Sequence, residues 1–575
     1  MKLIKKKIPK HLQYYIVNQN YKNYSYIDHA CWRYIMKIST HFFKKHADSI
    51  YLKGLEDTGI TLEKIPKINS INKKLNKFGW RAVCVRGFIP PQIFMEFQSM
   101  QILPIAADMR THEHLTYTPA PDIVHEAAGH APIIANKEYS NYLKAYGEVA
   151  VKAIMSSEDM NLYYAIRDLS DMKENLSITT NEIKKYENKL KSAYNNISYT
   201  SESAMLSRMN WWTVEYGLIG NIKNPKIYGA GLLSSVGESE SCLNKKIKKI
   251  PFTLDCINYS YDITEQQPQL FVTKNYKYLT KILKNLSNKM SYKIGGEIGL
   301  INAIKAKTPC TIEIDNLIQV SGIVDQYILY KKKPIFIKLN KGVQISYKNK
   351  QLNGHGIDYH SNGFSTPLGK IKNLNKSINQ LSNALLKKNN IINNQISNIE
   401  FQSGIKVNGR VEKIFRKKSK IILITFNNCT VTYKNKILFN PKWGKFDMIC
   451  GNKINSVFFD YADKNKYHKE SMTSEIKKYK QTKNISINNN LNLLYREIHK
   501  IRENKISLKN LEKIHKIITR DFDNEWLIKF EILELVKKNK LKIKWVNKIN
   551  DDLINLSLKN NELGRAIKRG LELIK

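Results

Sequence analysis

The sequence predicts a multidomain α+β protein that is mainly α at first, β-rich from about residue 306 and helical again from about residue 491. Three observations lead to this prediction. The 575 residues are enough for three or four domains. Helical periodicity begins at Ile27–Met36 and returns in the last part of the chain, whereas residues 306–465 alternate apolar and polar side chains between turn residues.

In the first part, two histidines lie in the segment Pro121–Pro132, which opens with Pro and Asp and ends in Gly and Pro. Such boundaries predict a short helix. His125 and His130 are five positions apart and would diverge by about 140° on an ideal α-helix. For both imidazoles to reach one ion, the turn before His130 must be widened or broken, and Gly129 allows this. We therefore expect a distorted helix.

A third ligand is predicted further along the chain. Glu215 lies in the aromatic and apolar run 210–218, where an unpaired charge normally has a cation or metal as its partner. Two imidazoles and one carboxylate leave open positions on a divalent ion, an arrangement that iron oxygenases use. A zinc site with bound water remains chemically open, although Glu126 lacks the spacing of the general base in zinc hydrolases. His125, His130 and Glu215 are thus the predicted metal ligands and catalytic residues.

Three blocks carry a resemblance to a known family: Tyr117–His130, Trp211–Gly217 and Tyr228–Glu238. In content and order they resemble the signature blocks of the pterin-dependent aromatic amino acid hydroxylases, with the bacterial phenylalanine-hydroxylating members as the nearest match. The resemblance covers roughly residues 10–300. It implies a mainly α, hydroxylase-like catalytic domain at 1–305 with small β elements, and it implies Fe(II) and a tetrahydropterin as cofactors.

The resemblance also implies a role for individual residues. His125, His130 and Glu215 would bind Fe(II). Arg110 would hold the substrate carboxylate, because a guanidinium can donate two parallel hydrogen bonds. Two residues would assist it, namely Thr118 and Ser234. Four residues would wall the aromatic ring of the substrate: Pro121, Trp211, Tyr216 and Gly231. Two would contact the pterin: Phe94 by stacking and Glu126 through its carboxylate.

The implied reaction is hydroxylation of L-phenylalanine to L-tyrosine with Fe(II), O2 and a tetrahydropterin. Tryptophan is the alternative substrate of the same family. Two further classes stay open: a zinc-dependent hydrolase, in which Arg110 would have no purpose, and a non-catalytic binding protein, which would bind metal poorly. Pro104, Ala120 and Asn210 depart from the family pattern, which bears on pterin affinity and coupling.

The interval between His130 and Glu215 is longer than in compact members of the family. The excess, at about 159–205, is charged and helically periodic, which predicts an exposed helical hairpin. This insertion could be a lid over the site. The alternative is a surface decoration, tolerated because long insertions close at a small entropic cost.

The region 306–465 contains a candidate internal repeat, at about 314–371 and 401–454. Val320–Val324, Ile335–Ile337 and Tyr347–Lys350 reappear in the same order as Val407–Val411, Ile421–Ile424 and Tyr433–Lys436. We predict two small β units, or the two halves of one, with a binding or assembly role. His355 and His360 lie in the Gly-rich loop 353–363 without a visible third partner, so we expect them to be ordinary surface residues.

A polar linker is predicted at 466–490, followed by a helical tail at 491–575. Three tail segments show an apolar stripe: Leu491–Lys500, Leu508–Ile518 and Trp526–Lys538. Such stripes pack on each other or on another subunit, so the tail could form a homo-oligomer, although no sustained heptad pattern supports this.

Composition limits the remaining possibilities. The net charge of +44 comes mostly from Lys spread through an Ile- and Asn-rich chain, so we expect no specific nucleic-acid partner. Seven Cys without a Cys-x-x-Cys pair argue against a disulfide framework. No apolar run has the length of a signal peptide or a membrane span, and the early helical pattern leaves no room for a regulatory domain ahead of the catalytic region. We expect a cytoplasmic enzyme without a membrane partner.

Overall fold

The structure, a computed structural model, describes residues 8–85, 87, 89–111, 115, 121–173, 178–262, 266–315, 317–467, 489–559 and 561–574. The predicted linker falls almost wholly outside these residues. In the described part, no helix combines the length and apolarity needed to cross a bilayer. All seven Cys are buried and free.

Up to residue 306 the chain is mainly helical, as predicted. The longest helix, Tyr26–His46, begins at a capping box in which Ser25 and Asp28 satisfy each other's backbone N–H groups. The other α-helices that the structure describes here are Lys10–Gln13, Ile50–Thr58, Ile68–Leu75, Pro91–Ser99, Ala131–Ile134, Lys137–Ala150, Ser157–Lys173, Thr180–Asn195, Glu202–Asn210, Ala230–Leu233, Val236–Leu243, Tyr276–Ser287, Ser291–Ile294 and Gly296–Ala306. Two π-helical segments, Val124–His130 and Trp211–Glu215, interrupt this α-helical pattern.

Two small sheets accompany these helices. Arg81–Val85 and Ile102–Ala106 form a parallel pair. A second sheet contains Lys226–Ile227, Leu218–Ile219, Gln269–Thr273 and Lys248–Pro251 in that spatial order. Both sheets are short, so most of the core of this part lies between helices.

The β-rich region forms two antiparallel sheets. The first sheet contains Pro309–Ile314, Ile318–Tyr330, Lys333–Leu339, Gln344–Tyr347, Lys350–Gln351, Phe364–Pro367 and Ile454–Phe459. The second contains Ile396–Glu400, Lys406–Lys417, Lys420–Tyr433, Lys436–Phe439 and Phe446–Ile449, with a short helix, Asn383–Lys388, before it. The buried apolar side chains here form two clusters, and each cluster contains residues of both sheets, so the sheets pack against each other.

The two copies of the candidate repeat occupy equivalent places. Each begins in a long strand, Ile318–Tyr330 or Lys406–Lys417, which forms a hairpin with the next strand. The Tyr-Lys-Asn-Lys sequences form tight turns with positive φ at both central residues, 51° and 60° in the first copy and 46° and 66° in the second. This backbone suits two-residue hairpin turns. Common descent of the two copies stays a prediction.

The described residues of the tail form five helices: Asn489–Arg502, Asn510–Asp521, Trp526–Lys538, Val546–Ser557 and Glu562–Leu573. Their apolar stripes pack on each other and on helix Tyr26–His46, within one continuous cluster of buried side chains. The Tyr34 ring meets Trp526 and Phe530 edge to face, at centroid distances of 5.1 and 5.0 Å. The tail stripes are thus used within the chain, and the division into domains stays a prediction.

Candidate active site

The histidines predicted as ligands lie on the π-helical segment Val124–His130. A π-helix widens each turn, so side chains five positions apart return to one face. The expectation of a widened turn is therefore confirmed. Gly129 permits close packing here, because a Cβ at this position would lie 2.7 Å from the carbonyl oxygen of Ala230.

Glu215 completes a cluster of three groups. His125 Nε2 and His130 Nε2 are 3.1 Å apart. The two oxygens of Glu215 lie 3.4 Å from His125 Nε2 and 3.5 Å from His130 Nε2. Glu215 ends the second π-helical segment, Trp211–Glu215, so both arms of the cluster come from widened turns. The structure thus brings together the three predicted metal ligands.

Ser234 determines which nitrogen of His125 is available. Its Oγ donates to the carbonyl oxygen of Gly231 at 3.1 Å and lies 3.1 Å from His125 Nδ1. Since the single hydroxyl proton is used on Gly231, Oγ accepts from Nδ1–H, and Nε2 keeps its lone pair. From the resemblance we expected Ser234 to assist Arg110; in the structure only its backbone carbonyl faces Arg110, at 3.4 Å from Nη1.

The charge balance of the cluster suits a divalent cation. Burial lowers the pKa of His125 to about 4 and also lowers the pKa of His130. Both rings are therefore neutral at pH 7, and each can offer a nitrogen lone pair to a metal ion. Burial raises the pKa of Glu215 to about 8, although the Gly231 backbone and the Asn210 side chain hydrogen-bond to its carboxylate. A cation between the three groups would relieve this cost, so the residues present fit a metal ion.

Arg110 is buried and held in place by Asp122. Its Nε and Nη2 donate to the two oxygens of Asp122 at 2.7 and 2.9 Å. Burial alone would raise the pKa of Asp122, but the Arg110 guanidinium outweighs it and lowers that pKa. Asp122 also accepts from the backbone N–H of His125 at 3.0 Å, so one carboxylate fixes Arg110 relative to the ligand helix. Sequence reasoning did not assign a role to Asp122; its place at the helix start was the available signal.

The two residues predicted to contact the pterin lie beside the cluster. Phe94, on helix Pro91–Ser99, has its ring 6.4 Å from that of His130. Glu126 is buried, its Oε2 lies 3.9 Å from His130 Nε2, and that oxygen has no hydrogen-bond partner among the described residues. Burial, followed by the charges of Glu215 and Asp122, raises the pKa of Glu126. A buried carboxyl oxygen without a partner is suited to a ligand with N–H donors.

The three predicted metal ligands, together with Arg110, Ser234, Phe94 and Glu126, face one cavity of about 400 Å³, within the range of small-molecule sites. Its wall contains the predicted Pro121, Trp211, Tyr216 and Gly231. The Trp211 ring stacks between two tyrosines, with centroid distances of 4.6 Å to Tyr216 and 4.4 Å to Tyr261. Tyr261 was not predicted, because no block of the sequence includes it. Thr118 lies outside the described residues.

The insertion also reaches this cavity. Helices Ser157–Lys173 and Thr180–Asn195 pack against each other, and the second has no buried residue. The first helix contributes Tyr163 and Ile166 to the cavity wall. This observation favours the lid interpretation over a surface decoration. Sequence alone could not decide, because the helical period does not say what the apolar stripe faces.

The chain is similar to proteins of known function. Residues 8–206 and 200–295 match the family described as biopterin-dependent aromatic amino acid hydroxylase. The phenylalanine-4-hydroxylase of Chromobacterium violaceum is 30% identical over 259 residues, which are 44% of this chain and 72% of that protein. The phenylalanine-4-hydroxylase of Pseudomonas aeruginosa is 28% identical over 262 residues, 45% of this chain and 83% of that protein. The crystal structure of the Chromobacterium violaceum enzyme with iron(III) and 7,8-dihydrobiopterin is 27% identical, with a TM-score of 0.38, and covers 48% of this chain and 85% of that one.

The fold and the site therefore define a pterin-dependent oxidoreductase. The chain belongs to the biopterin-dependent aromatic amino acid hydroxylases. The predicted family, the hydroxylase-like fold of the first part and the dependence on a pterin are confirmed. The matched region ends at residue 295, so the β-rich region and the tail lie outside it.

Proposed function

We propose that the chain hydroxylates L-phenylalanine to L-tyrosine with Fe(II), O2 and a tetrahydropterin, in the cytoplasm as expected from the sequence. The observation that carries the proposal is the cluster of two neutral imidazoles and one carboxylate facing a cavity with an aromatic wall and a buried guanidinium. Phenylalanine is the first choice because the two relatives described above are both phenylalanine-4-hydroxylases.

The ligand set assigned to Fe(II) is His125, His130 and Glu215. When bound, Fe(II) and the tetrahydropterin together activate O2 so that one oxygen atom enters the aromatic ring. The protein supplies the geometry. Ser234 fixes the His125 tautomer that directs Nε2 toward the metal, and Asp122 fixes the helix that carries both histidines.

The substrate is held at its polar end and enclosed at its ring. Arg110 Nη1 does not bond to Asp122 and faces the Ser234 carbonyl oxygen at 3.4 Å, so it is the nitrogen available to a substrate carboxylate, while Asp122 keeps the guanidinium in one orientation. Trp211, Tyr216 and Pro121 exclude water from the ring, which protects the reactive oxidant. Phe94 and Glu126 serve the pterin on the side of His130.

Reconstitution tests the proposal directly. The purified chain is supplied with Fe(II), a tetrahydropterin and O2, and formation of tyrosine from phenylalanine is followed beside hydroxylation of tryptophan. We expect tyrosine from the wild type and none from Glu215→Ala. Faster conversion of tryptophan would replace the substrate within the same family. No product from either amino acid, with metal bound, would overturn the proposed function.

A further inference from the structure

The histidines of the Gly-rich loop are not surface residues. His355 and His360 are 3% and 6% exposed, so the expectation from the sequence was wrong. The loop lies between strands Lys350–Gln351 and Phe364–Pro367 of the first sheet. It is tied to that sheet by the backbone N–H groups of Val343 and Ile345, which donate to the carbonyl oxygens of His360 and His355 at 3.3 and 3.0 Å.

A carboxylate from the second sheet meets this pair. Asp447 lies on strand Phe446–Ile449, opposite Thr425, and is 4% exposed. One ligand atom from each of His355, His360 and Asp447 lies within 4.8 Å of the other two. Sequence reasoning missed this third partner because Asp447 comes from a different sheet.

The two ring nitrogens are spaced as metal ligands are. His355 Nδ1 and His360 Nε2 are 3.2 Å apart, and the centroids of the rings are 5.4 Å apart. A tetrahedral ion with bonds of about 2.0–2.1 Å places two nitrogens roughly 3.3 Å from each other. The spacing matches the 3.1 Å between the nitrogens of His125 and His130 in the same chain.

The surroundings favour neutral rings and leave the carboxylate in need of a cation. Burial, together with the charge of Lys413, lowers the pKa of His355 to about 4. Burial, together with the neighbouring His355, lowers the pKa of His360 to about 3. Burial raises the pKa of Asp447 to about 6, although Thr425 and Tyr359 hydrogen-bond to it and Lys445 lies nearby. Lys445 forms its ion pair with Glu412. The Asp447 carboxylate is thus buried beside the nitrogen lone pairs of two neutral imidazoles, those of His355 and His360.

Aromatic rings shield the cluster. Phe415 lies 4.9 Å from the His355 ring, and Phe364 and Tyr359 lie 5.3 and 4.7 Å from the His360 ring, measured between centroids. Apolar neighbours of this kind strengthen electrostatic interactions inside them and hold ligand side chains in one rotamer.

We propose that His355, His360 and Asp447 bind a second divalent transition-metal ion, separate from the catalytic metal, which links the loop of the first sheet to the second sheet. Imidazole and carboxylate ligands suit Zn²⁺, which imposes no geometry of its own and is stable in redox terms. The role assigned to the ion is structural, because its ligands come from a loop of the first sheet and a strand of the second sheet.

Metal counting tests the proposal without reference to enzyme activity. The full-length chain is incubated with Zn²⁺, dialysed and analysed for bound metal as wild type, Glu215→Gln, His360→Gln and the double variant. We expect about two ions per chain in the wild type, about one in each single variant and none in the double variant. His515→Gln is the matched control, because His515 stacks on Trp545 in the tail at 4.5 Å; it should keep the wild-type content.

A second measurement covers the case in which His360→Gln does not fold. The Glu215→Gln chain is titrated with Co²⁺, whose visible absorption reports imidazole coordination, with and without the isosteric change Asp447→Asn. A spectrum that Asp447→Asn weakens at unchanged circular dichroism supports the site. A folded Glu215→Gln chain that binds neither Zn²⁺ nor Co²⁺ would show that the two rings share only an N–H···N hydrogen bond, and the proposal would be overturned.

Discussion

At the scale of single residues, the site depends on side chains that fix other side chains. Asp122 orients Arg110 and accepts a hydrogen bond from the backbone N–H of His125, while Ser234 selects the His125 tautomer. Asn210, which departs from the family pattern, hydrogen-bonds to the Glu215 carboxylate. Because these groups hold the reactive ones within hydrogen-bonding distance, small changes in them should affect function without changing the fold.

Arg110→Lys tests the proposed grip on the substrate carboxylate. Lysine keeps the charge, but a single ammonium group cannot bond to both oxygens of Asp122 and also offer a nitrogen to the substrate as the planar guanidinium does. A hydrogen bond to a charged group contributes about 1.5–3 kcal/mol, so we expect KM for the amino acid to rise about ten- to hundredfold at unchanged metal content. Steady-state kinetics measures this effect.

The control for this change is Arg208→Lys. Arg208 donates to the carbonyl oxygen of Ile257 at 2.9 Å and does not belong to the cavity wall. Its substitution should leave KM close to the wild-type value. If Arg110→Lys lowers kcat alone and leaves KM unchanged, the residue does not hold the substrate in the ground state.

The sequence could predict those site residues whose position follows from their own local segment, but not those that come from distant segments of the chain. The spacing of His125 and His130 predicted a widened turn, since a helix has a known angular period, and Glu215 followed from a charge in an apolar run. Tyr163, Tyr261 and Asp447 could not be predicted in the same way. Each of these side chains reaches its site because separate elements pack together. The periodicity of a single segment does not show which elements will pack.

At the scale of elements, two π-helical segments and one inserted helix shape the cavity. The π-helical segments place the predicted metal ligands on one side of the cavity. Helix Ser157–Lys173 covers another side of the cavity with Tyr163 and Ile166. The guanidinium of Arg167 lies over the Tyr163 ring at 5.9 Å and over the Tyr164 ring at 4.9 Å. These contacts hold the helix face that meets the cavity.

Tyr163→Ala tests whether the insertion acts as a cover. Removing the ring opens the cavity to water and removes aromatic contact worth about 0.5–1.5 kcal/mol. We expect KM for the amino acid to rise about two- to tenfold, and more pterin to be oxidised per molecule of product. Parallel assays of pterin oxidation and amino acid hydroxylation measure both quantities.

Tyr186→Ala is the matched control, because Tyr186 lies on the outer helix of the insertion, Thr180–Asn195, and is not part of the cavity wall. It should behave as the wild type. Equal behaviour of the two variants would restore the interpretation of the insertion as a surface decoration.

At the scale of the whole molecule, the tail completes the core of the first part. Arg33 donates from Nε and Nη2 to Glu531 at 2.8 and 2.7 Å, and Arg502 donates to the same carboxylate at 3.0 Å. Arg33 and Glu531 are 3% and 1% exposed. Burial alone would raise the pKa of Glu531, but the two guanidinium groups outweigh it and lower that pKa to about 2.

Glu531→Gln tests this docking. The variant leaves the buried Arg33 guanidinium without its anion, while Arg502 keeps its pair with Glu534, so the free energy of unfolding should fall by about 3–5 kcal/mol. Urea denaturation at pH 7 measures the change. Glu512→Gln is the control, since Glu512 pairs with Lys516 at the surface of the same tail, where ion pairs contribute about 0–1 kcal/mol.

The effect of Glu531→Gln should depend on pH in one direction. The pKa of Glu531 in the folded chain, about 2, lies below its ordinary value of 4.5, so its stabilisation is fully present above pH 4.5 and is lost as the pH falls toward 2. The difference between wild type and variant should be constant from about pH 5 to 8 and shrink below about pH 4. A difference that grew toward acid pH would contradict this assignment.

The pairing of Arg33 with Glu531 also has a consequence for biosynthesis. The two partners are 498 positions apart in the chain. At translation rates of about 5–20 residues per second, the arginine waits roughly 25 to 100 s for its carboxylate. During that time the nascent chain presents an uncovered helix face with a charge at its centre, while both sheets of the β-rich region are made and can fold. The hydroxylase region should therefore reach its final packing late, and ribosome-bound chaperones would have their longest access to helix Tyr26–His46.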